Sequence, residues 1–473
     1  MTSATATPTR PISLGGFNAD NLDAFLAGRG EPAWLVDRRK QAFEALRQSA
    51  WPTPRDEEWR RTDIRLLKLD AFRPPADALP TADDSAPLAD LWTSLSTTYS
   101  AGIEQVNGRV TRLSTAPGLN GAIFLDLATA VKSHPELVER YLLTQAVTGR
   151  EDALSALHAA FWTGGAFLYV PKGVKVEVPL FSLVGMAGGG SVDLDHTLVI
   201  LEEGAEATLV RETASRDRNG AAGFHAGAVE LVVGNGAKLR FVNIQNWDDS
   251  TWHFSRERAV VGADATLQWT VGGLGSRLAK VNQEVALVGR KASAQVNGVM
   301  FTTGQQHLAY FTRQDHAAPH TTSDLLYKAG LKGKSRVVWK GMIRVEKDAQ
   351  RTDAYQKNDN LVLSDAARAD SIPGLEIEAN DVRCTHGATA GRVDEEMIFY
   401  AQARGVARDT AVRLIVAGFF ANVYDRITLE PVRETLRQAV ADKLELAPST
   451  PRGPRPIAAT TPDADDSDDD ETA

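Results

Sequence analysis

Glycine-led strand patterns repeat through the middle of this 473-residue sequence. Four copies, beginning at Gly204, Gly236, Gly262 and Gly289, follow one another at intervals of 32, 26 and 27 residues, without helical patterns between them. A unit of this size cannot bury its own apolar face, so the units are expected to stack. The intervals do not fit the six-residue period of a left-handed hexapeptide helix. We therefore predict a right-handed parallel β-helix, with a β-sandwich as the alternative.

The third copy predicts which side of such a strand is buried. Side chains alternate between the two faces of a strand. One face carries Ala263, Ala265, Leu267, Trp269 and Val271, and the other carries Asp264, Thr266, Gln268 and Thr270. The pattern is that of a half-buried strand.

Helical patterns precede the strand region. Apolar residues recur near helical spacing from Asn21 to about Phe72, and a Pro/Ala/Asp-rich stretch from Arg73 to Asp90 is typical of a linker. The clearest helices before the strands are Glu136 to Leu143 and Ala153 to Phe161.

Three further helices are predicted after Gly391. Asp394 can cap a helix over Glu395 to Arg404, and a third helix begins at Pro431. Between them, a second helix has an apolar stripe of Ala411, Leu414, Ile415, Gly418, Phe419 and Val423. Such stripes usually pack against their own domain, but here they hold more apolar surface than a small cap needs. Docking of a partner is the alternative.

The fold class predicted from these patterns is mainly β, a right-handed parallel β-helix flanked by α-helical N- and C-terminal segments. The predicted segments are a disordered N-terminus (1–16), a helical or mixed N-terminal domain (17–155), the β-helix core (156–390), a C-terminal helical domain (391–448), and a disordered acidic tail (449–473).

The composition indicates the cellular compartment and argues against nucleic acid as a partner. The single cysteine excludes an internal disulfide framework, and no long apolar run indicates a signal peptide or a membrane span, so we expect a cytoplasmic protein. The net charge is -9, but seven acidic residues lie in the last eleven positions. The rest of the chain is close to neutral and has no cluster of basic residues of the kind that binds nucleic acid.

The single cysteine, Cys384, is followed two positions later by His386. On a strand both side chains point to the same face, whereas Arg383 and Thr385 point to the other. A thiolate beside an imidazole makes a site for a soft metal or for sulfur. The alternative is a small buried thiol next to a hydrogen-bonded core histidine.

Other catalytic patterns are incomplete. Gly333-Lys334-Ser335 is similar to the end of a phosphate loop, but Lys328 stands where the loop needs its first glycine, and a strand pattern follows. His316 and His320 are four residues apart, but Pro319 breaks any helix that would place them on one face. No Gly-x-Ser-x-Gly elbow is present.

Several runs, in the same order, resemble the SufB/SufD family of iron–sulfur cluster assembly proteins. They are Phe161 to Val174, Asp315 to Lys328, Gln350 to Gln356, Leu375 to Ile377 leading into the Cys384 stretch, and Asp394 to Tyr400. The resemblance covers the chain from about Pro32 to Phe420.

Within the family, the sequence is similar to the SufD branch. SufB-type sequences carry a cysteine followed by Asp-Ser where this chain has Ser364-Asp365-Ala366, and a His-Glu pair where it has His386-Gly387. The run from Arg55 to Asp63 is also similar to the leader of SufD-type sequences.

The resemblance implies partners and a cargo. A SufB-like subunit would pair with the chain through the β-helix, and a SufC-like ATPase would dock on the C-terminal helices. A transient iron–sulfur cluster would form at the interface with SufB, with His386 as a ligand and Cys384 as a second ligand or sulfur relay. Because hydrolysis takes place in the ATPase, this chain would bind no nucleotide and would be a scaffold, not an enzyme.

Three alternatives stay open on the sequence alone. A SufB-like paralogue would itself be the cluster scaffold. A carbohydrate-active β-helix enzyme would need a groove of Asp, Lys and Arg on one face and would be secreted. A purely structural solenoid would show no dependence on metal.

Overall fold

A computed structural model describes residues 14–75, 88–99, 101–115, 117–216 and 220–445. The predictions of disorder at 1–16 and 449–473 lie outside the described residues, apart from 14–16. Most of the predicted linker, Arg73 to Asp90, lies outside them too. Among the described residues, no helix combines the length and apolar character needed to cross a membrane.

Two ten-stranded sheets form the centre of the fold. Sheet A contains β1 (Ala101–Val106), β2 (Arg109–Ser114), β5 (Leu180–Ala187), β8 (Glu206–Arg216), β10 (Lys238–Asn246), β12 (Thr266–Gly273), β14 (Ser293–Thr302), β16 (Thr322–Leu331), β18 (Asp353–Val362) and β20 (Arg383–Arg392). Sheet B contains β3 (Ile123–Asp126), β4 (Ala166–Val170), β6 (Val192–Asp193), β7 (His196–Leu201), β9 (Gly223–Val233), β11 (Thr251–Val261), β13 (Leu278–Leu287), β15 (His307–His316), β17 (Arg336–Val345) and β19 (Arg368–Ile377).

The connectivity is that of a parallel β-solenoid. From β8 onward the chain alternates between the sheets, and each strand pairs in parallel with the strand two positions further along. Each pair of strands is therefore one coil, stacked on the coil before it. The predicted parallel β-helix is confirmed, and the β-sandwich alternative is wrong.

The repeated glycines lie at the turns that lead into sheet A, and they are needed there for two reasons. Gly204 and Gly236 have positive φ angles of 69° and 66°, a backbone region that other residues enter at a cost. At Gly289, a Cβ atom would lie 1.9 Å from the backbone nitrogen of Ala263 in the coil below. The sequence repeat is thus the repeat of the coils.

The space between the sheets is filled by an apolar core. Ala265, Leu267, Trp269 and Val271 lie in this core, as the alternation in the third copy predicts. We call the side of each sheet that faces this core the inner face. Thr270 on the opposite face is also buried, because helices cover the outer face of sheet A.

The N-terminal region packs on the outer face of sheet B. The helices of this region are α1 (Ala19–Ala27), α2 (Ala33–Gln48), α3 (Ala89–Thr98), α4 (Leu127–Ser133), α5 (Pro135–Tyr141) and α6 (Ala153–Phe161). Helix α3 is the exception, because it covers sheet A. Every residue of α6 is buried, and Asp152 caps it by accepting a hydrogen bond from the Ser155 backbone at 2.8 Å. Strands β1 and β3 precede residue 156 but belong to the two sheets. The segment boundaries themselves stay predictions.

The C-terminal helices are α7 (Glu395–Gln402), α8 (Arg408–Tyr424) and α9 (Glu430–Glu445). Asp394 caps α7 as predicted. The stripe predicted for the second helix is partly wrong. Ala411 and Val423 are buried, but the rest of the buried face is Val416, Phe420 and Tyr424, and Leu414 is exposed. Apolar residues surround most of α8, so contact with sheet A decides which of them are buried.

Candidate functional site

Cys384 and His386 lie on β20, the last strand of sheet A. Their side chains belong to the inner face, at the end of the solenoid where no further coil follows within the described residues. Arg383 points to the opposite face and pairs with Asp353. The structure therefore brings the thiol and the imidazole to one face of one strand.

The two side chains differ in their surroundings. Cys384 is half-buried and packs against the apolar cluster of Ile343, Val345 and Ala354. Burial raises the pKa of the Cys384 thiol, and the nearby carboxylate of Asp353 raises it further. A thiol with a raised pKa is mostly protonated at neutral pH, which weakens it as a nucleophile and as a metal ligand. His386 is exposed.

Polar side chains form the floor of this site. Gln356 is the register partner of His386, and Ala354 is the partner of Cys384. Gln356 is fully buried and donates from Nε2 to the carbonyl of Gly374 at 3.0 Å. Beside it, Asn360 donates to Asn358 and to Ser371. The interior beneath the last coil is thus lined by polar side chains.

The last coil is far more exposed than the coils before it. Strands β19 and β20 each pair with one neighbour, so each has one edge without a ladder partner within the described chain. Leu375 and Ile377 on the inner side of β19 are 38% and 40% exposed, whereas Ile343 and Val345 one coil below are fully buried. An exposed strand edge with apolar side chains is a site for pairing with another chain.

A second exposed apolar surface lies on the C-terminal helices. Phe399 is 73% exposed and Met397 is 57% exposed, both on α7. Tyr400 and Leu414 are also largely exposed. A groove of about 640 Å³ separates α7 and α8 from the turn that follows β18. Large apolar side chains in such positions mark an interaction surface.

A buried polar cluster lies inside the solenoid, which the sequence reasoning missed. Ligand atoms of Asp193, Asp195 and His225 lie within 4.8 Å of one another, a spacing that a metal ion could use. Arg211 lies against the same group and donates two hydrogen bonds to Asp195, at 2.6 and 3.1 Å. Asp193 accepts from the Gln105 side chain and the Gly108 backbone, both at 2.8 Å.

His225 lies between two partners in this cluster. Its Nδ1 is 2.8 Å from Nδ1 of His253, which also accepts a hydrogen bond from Trp247, and its Nε2 is 2.8 Å from the Asp195 carboxylate. Both ring nitrogens of His225 are thus engaged by protein groups, and a metal ion would have to displace one of these contacts.

The pKa values of the two acids fit this arrangement. Burial raises the pKa of Asp193 to about 6, and the neighbouring charge of Asp195 adds to the effect. Burial would also raise the pKa of Asp195, but Arg211 and His225 outweigh it and hold that pKa well below its usual range. The cluster is a satisfied network of buried charges, and we assign it a structural role.

One sequence signal could have located this cluster. His225 and His253 are 28 residues apart, close to the coil period. Residues one period apart lie in adjacent coils, and His225 and His253 are register partners.

The residues that the incomplete motifs contain have structural partners. Ser335 is buried, lies 2.8 Å from the hydroxyl of Thr302, and leads into β17. His316 is buried and hydrogen bonds to Thr321 and Ser323, while His320 lies in a turn with φ of 61°.

The fold defines a two-sheet parallel β-solenoid protein with helical flanks, whose last coil is exposed and carries a Cys-x-His pair. The description "SUF system FeS cluster assembly, SufBD core domain" matches residues 184–419, and "SufBD protein N-terminal region" matches residues 26–181. The chain belongs to the SufBD family of iron–sulfur cluster assembly proteins.

Named relatives agree with this assignment. The chain is 28% identical to the iron–sulfur cluster assembly protein SufD of Bacillus subtilis over 430 residues, which is 90% of this chain and 97% of that protein. It is 35% identical over 307 residues to a SufBD family protein of Mycobacterium tuberculosis, covering 63% of this chain and 76% of the relative. A SufBD family protein of Staphylococcus epidermidis is 26% identical over 431 residues, which is 85% of this chain and 91% of the relative. The chain is therefore SufD-like.

Proposed function

We propose that this chain is a non-catalytic scaffold subunit that pairs with a SufB-like subunit and docks a SufC-like ATPase. A nascent iron–sulfur cluster, as cargo, is built where the last coil meets the SufB-like partner. The observation that carries this proposal is the exposed position of His386 on the last strand of an uncovered coil.

The number of ligands in this chain supports assembly at an interface. Iron–sulfur clusters are usually held by four ligands, mostly cysteine thiolates. This chain has one cysteine, and its thiol pKa is raised. His386 and Cys384 can therefore supply only part of a ligand set, and the partner supplies the rest. A SufB-like paralogue that holds the cluster alone would need more thiols than this chain contains.

Pairing through the solenoid end follows from the exposure of the last coil. A partner strand added to β19 or β20 would satisfy their free edges and cover Leu375 and Ile377. Pairing there would also bury His386, placing the cluster in a site shielded from water.

The His386→Ala variant tests the ligand role. Expressed with SufB- and SufC-like subunits, it should fold and copurify with them but lose most of the iron and acid-labile sulfide of the complex. Cys384→Ala should have a milder effect. Thr385→Ala is the matched control, because Thr385 is equally exposed but faces outward. Wild-type cluster content in the His386→Ala complex would refute the ligand role.

The exposed residues of α7 test ATPase docking. Deleting all three C-terminal helices is a poor test, because α8 and α9 cover apolar side chains of sheet A such as Phe301 and Leu326. Phe399→Asp combined with Met397→Asp should instead leave the fold intact and abolish copurification of the ATPase. Leu66→Asp, at a residue 68% exposed on the N-terminal region, is the control. Full ATPase retention by the double variant would contradict the assignment. Removing residues 451–473 should change neither interaction.

A further inference from the structure

We propose that the SufB-like partner adds a strand to the free edge of β20 and does not pair with β19, because Pro373 interrupts the free edge of β19. The inference rests on the proposed function, since it names the strand through which that function's partner binds. The direction of the backbone groups in each strand decides between the two edges.

The backbone groups of β19 alternate between its two sides. In an extended strand, the N–H and C=O of one residue point to one side, and those of the next residue point to the other. The N–H of Arg368, at the start of β19, donates to the Ser335 carbonyl at 3.0 Å. The N–H of Glu378, just beyond the end of β19, donates to the Val345 carbonyl at 2.9 Å. Because the ladder with β17 has no register shift between these bonds, even-numbered residues of β19 bond to β17 and odd-numbered residues face the free edge.

Pro373 lies in the middle of this free edge. Its ring nitrogen is on the side away from β17, which is where a sheet tolerates proline. The nitrogen carries no hydrogen, and the ring carbon that replaces the hydrogen points toward any strand that would pair there. A partner strand on β19 would therefore lose a backbone hydrogen bond at its centre and meet the proline ring. Proline at such a position blocks the pairing of an edge strand.

The free edge of β20 is continuous. The N–H of Arg383 donates to the Thr352 carbonyl at 2.9 Å, and the ladder with β18 has no register shift. Odd-numbered residues of β20 therefore bond to β18. The even-numbered residues face the free edge, and they are Cys384, His386, Ala388, Ala390 and Arg392. None of these five is a proline, so each presents an N–H and a C=O to a partner strand.

A strand on the edge of β20 would occupy the place of the next coil of sheet A. It would lie about 4.8 Å from β20, and its inner-face side chains would stand beside Cys384 and His386. These two residues supply only part of a ligand set, so the added strand is well placed to supply the rest. A strand on β19 would instead bring its side chains to the opposite sheet.

The ligand count also decides which partner occupies this edge. A second copy of this chain would bring only one more cysteine, a half-buried thiol whose pKa is again raised by burial. The occupant that fits is therefore the SufB-like subunit. Leu375 and Ile377 of β19 would contact that subunit through their exposed side chains, which requires no backbone pairing.

Matched alanine-to-proline substitutions test the two edges. Ala388→Pro removes an N–H at the free edge of β20, and Ala369→Pro removes one at the free edge of β19. Neither N–H faces the coil below, so both variants keep their own ladders. Each full chain is purified, its folding is checked by circular dichroism, and its affinity for the SufB-like subunit is measured by titration. Ala390→Pro repeats the β20 test if Ala388→Pro is not recovered in a folded form.

Pairing at β20 predicts that Ala388→Pro weakens binding of the SufB-like subunit about tenfold or more, because a carbonyl of the partner strand is left without its donor. Ala369→Pro should bind like the wild type. Wild-type affinity of Ala388→Pro, or equal losses in the two variants, would overturn the inference. So would a change in self-association of Ala388→Pro without a change in binding of the SufB-like subunit, since the edge would then serve a second copy. A wild-type chain that does not bind the SufB-like subunit would instead refute the proposed function, so the two failures are distinguishable.

Discussion

Glu212 should make the stability of this protein fall as pH rises, and Glu212→Gln should remove that dependence. Glu212 is buried on the outer face of sheet A, where Val210 and Ala214 pack with Leu91 of α3. Neither carboxyl oxygen has a hydrogen-bond partner among the described residues. Burial raises the pKa of Glu212 from 4.5 to about 8, although the positive charge of Arg216 opposes the rise.

The sign and size of the effect follow from that pKa. Between pH 4.5 and pH 8 the folded chain holds a proton on Glu212 that the unfolded chain has released. Stability is therefore greatest below pH 4.5 and is lost as pH rises through 8, at up to about 1.4 kcal/mol per pH unit. Between pH 5 and pH 8 the loss from this residue is roughly 3 kcal/mol.

Equilibrium urea unfolding at pH 5 and pH 8, followed by circular dichroism, measures this loss. Other titrating groups affect the wild type and the variant alike, so the difference between the two proteins isolates Glu212. Glu212→Gln should be close to the wild type at pH 5 and more stable by roughly 3 kcal/mol at pH 8. Glu203→Gln is the control, because Glu203 is exposed and pairs with Lys172 at the surface. A Glu212→Gln difference that does not change with pH would refute the reasoning.

Two further predictions concern the buried network and the backbone. Arg211→Met leaves Asp195 buried without its cation and should lower the free energy of unfolding by about 3–5 kcal/mol, measured by the same urea unfolding experiment. Arg383→Met is the control, because it removes an exposed ion pair and should lower the free energy of unfolding by at most about 1 kcal/mol. Gly165→Ala should largely prevent recovery of soluble protein, because Gly165 has φ of 136° and a Cβ atom there would lie 2.1 Å from the His196 carbonyl oxygen. Gly188→Ala, with φ of 76° and open space around it, should cost about 1–2 kcal/mol and remain soluble.

The solenoid could be predicted from the sequence because its determinants are local. Each coil repeats a turn glycine and an alternating strand, so Gly204, Gly236 and Gly289 identify the architecture without knowledge of distant contacts. The caps at Asp152 and Asp394 are local as well, since each contacts a backbone group two or three residues away. The same alternation placed Cys384 and His386 on one face of one strand.

The buried polar cluster and the buried face of α8 could not be predicted from the sequence, because they depend on contacts between residues far apart in the chain. Gln105 meets Asp193 across 88 positions, and Arg211 meets Asp195 from the opposite sheet. The buried face of α8 was partly mispredicted, because the surface of sheet A selects Val416 and Phe420 over other apolar residues of that helix. The hydrogen bond from Gln356 to Gly374 likewise joins residues on two different strands.

The one-sided support of the last coil has a consequence for the lifetime of the chain in a cell. In a solenoid each coil is stabilised mainly by its immediate neighbours, so β19 and β20 can open while the earlier coils stay closed. A chain with this end uncovered therefore presents β19 and β20 to proteases through local opening. Under the proposed pairing, β19 and β20 would become an interior coil and their opening would be suppressed. The lifetime of the chain would then report how much of it is assembled, and unassembled subunits would be removed first.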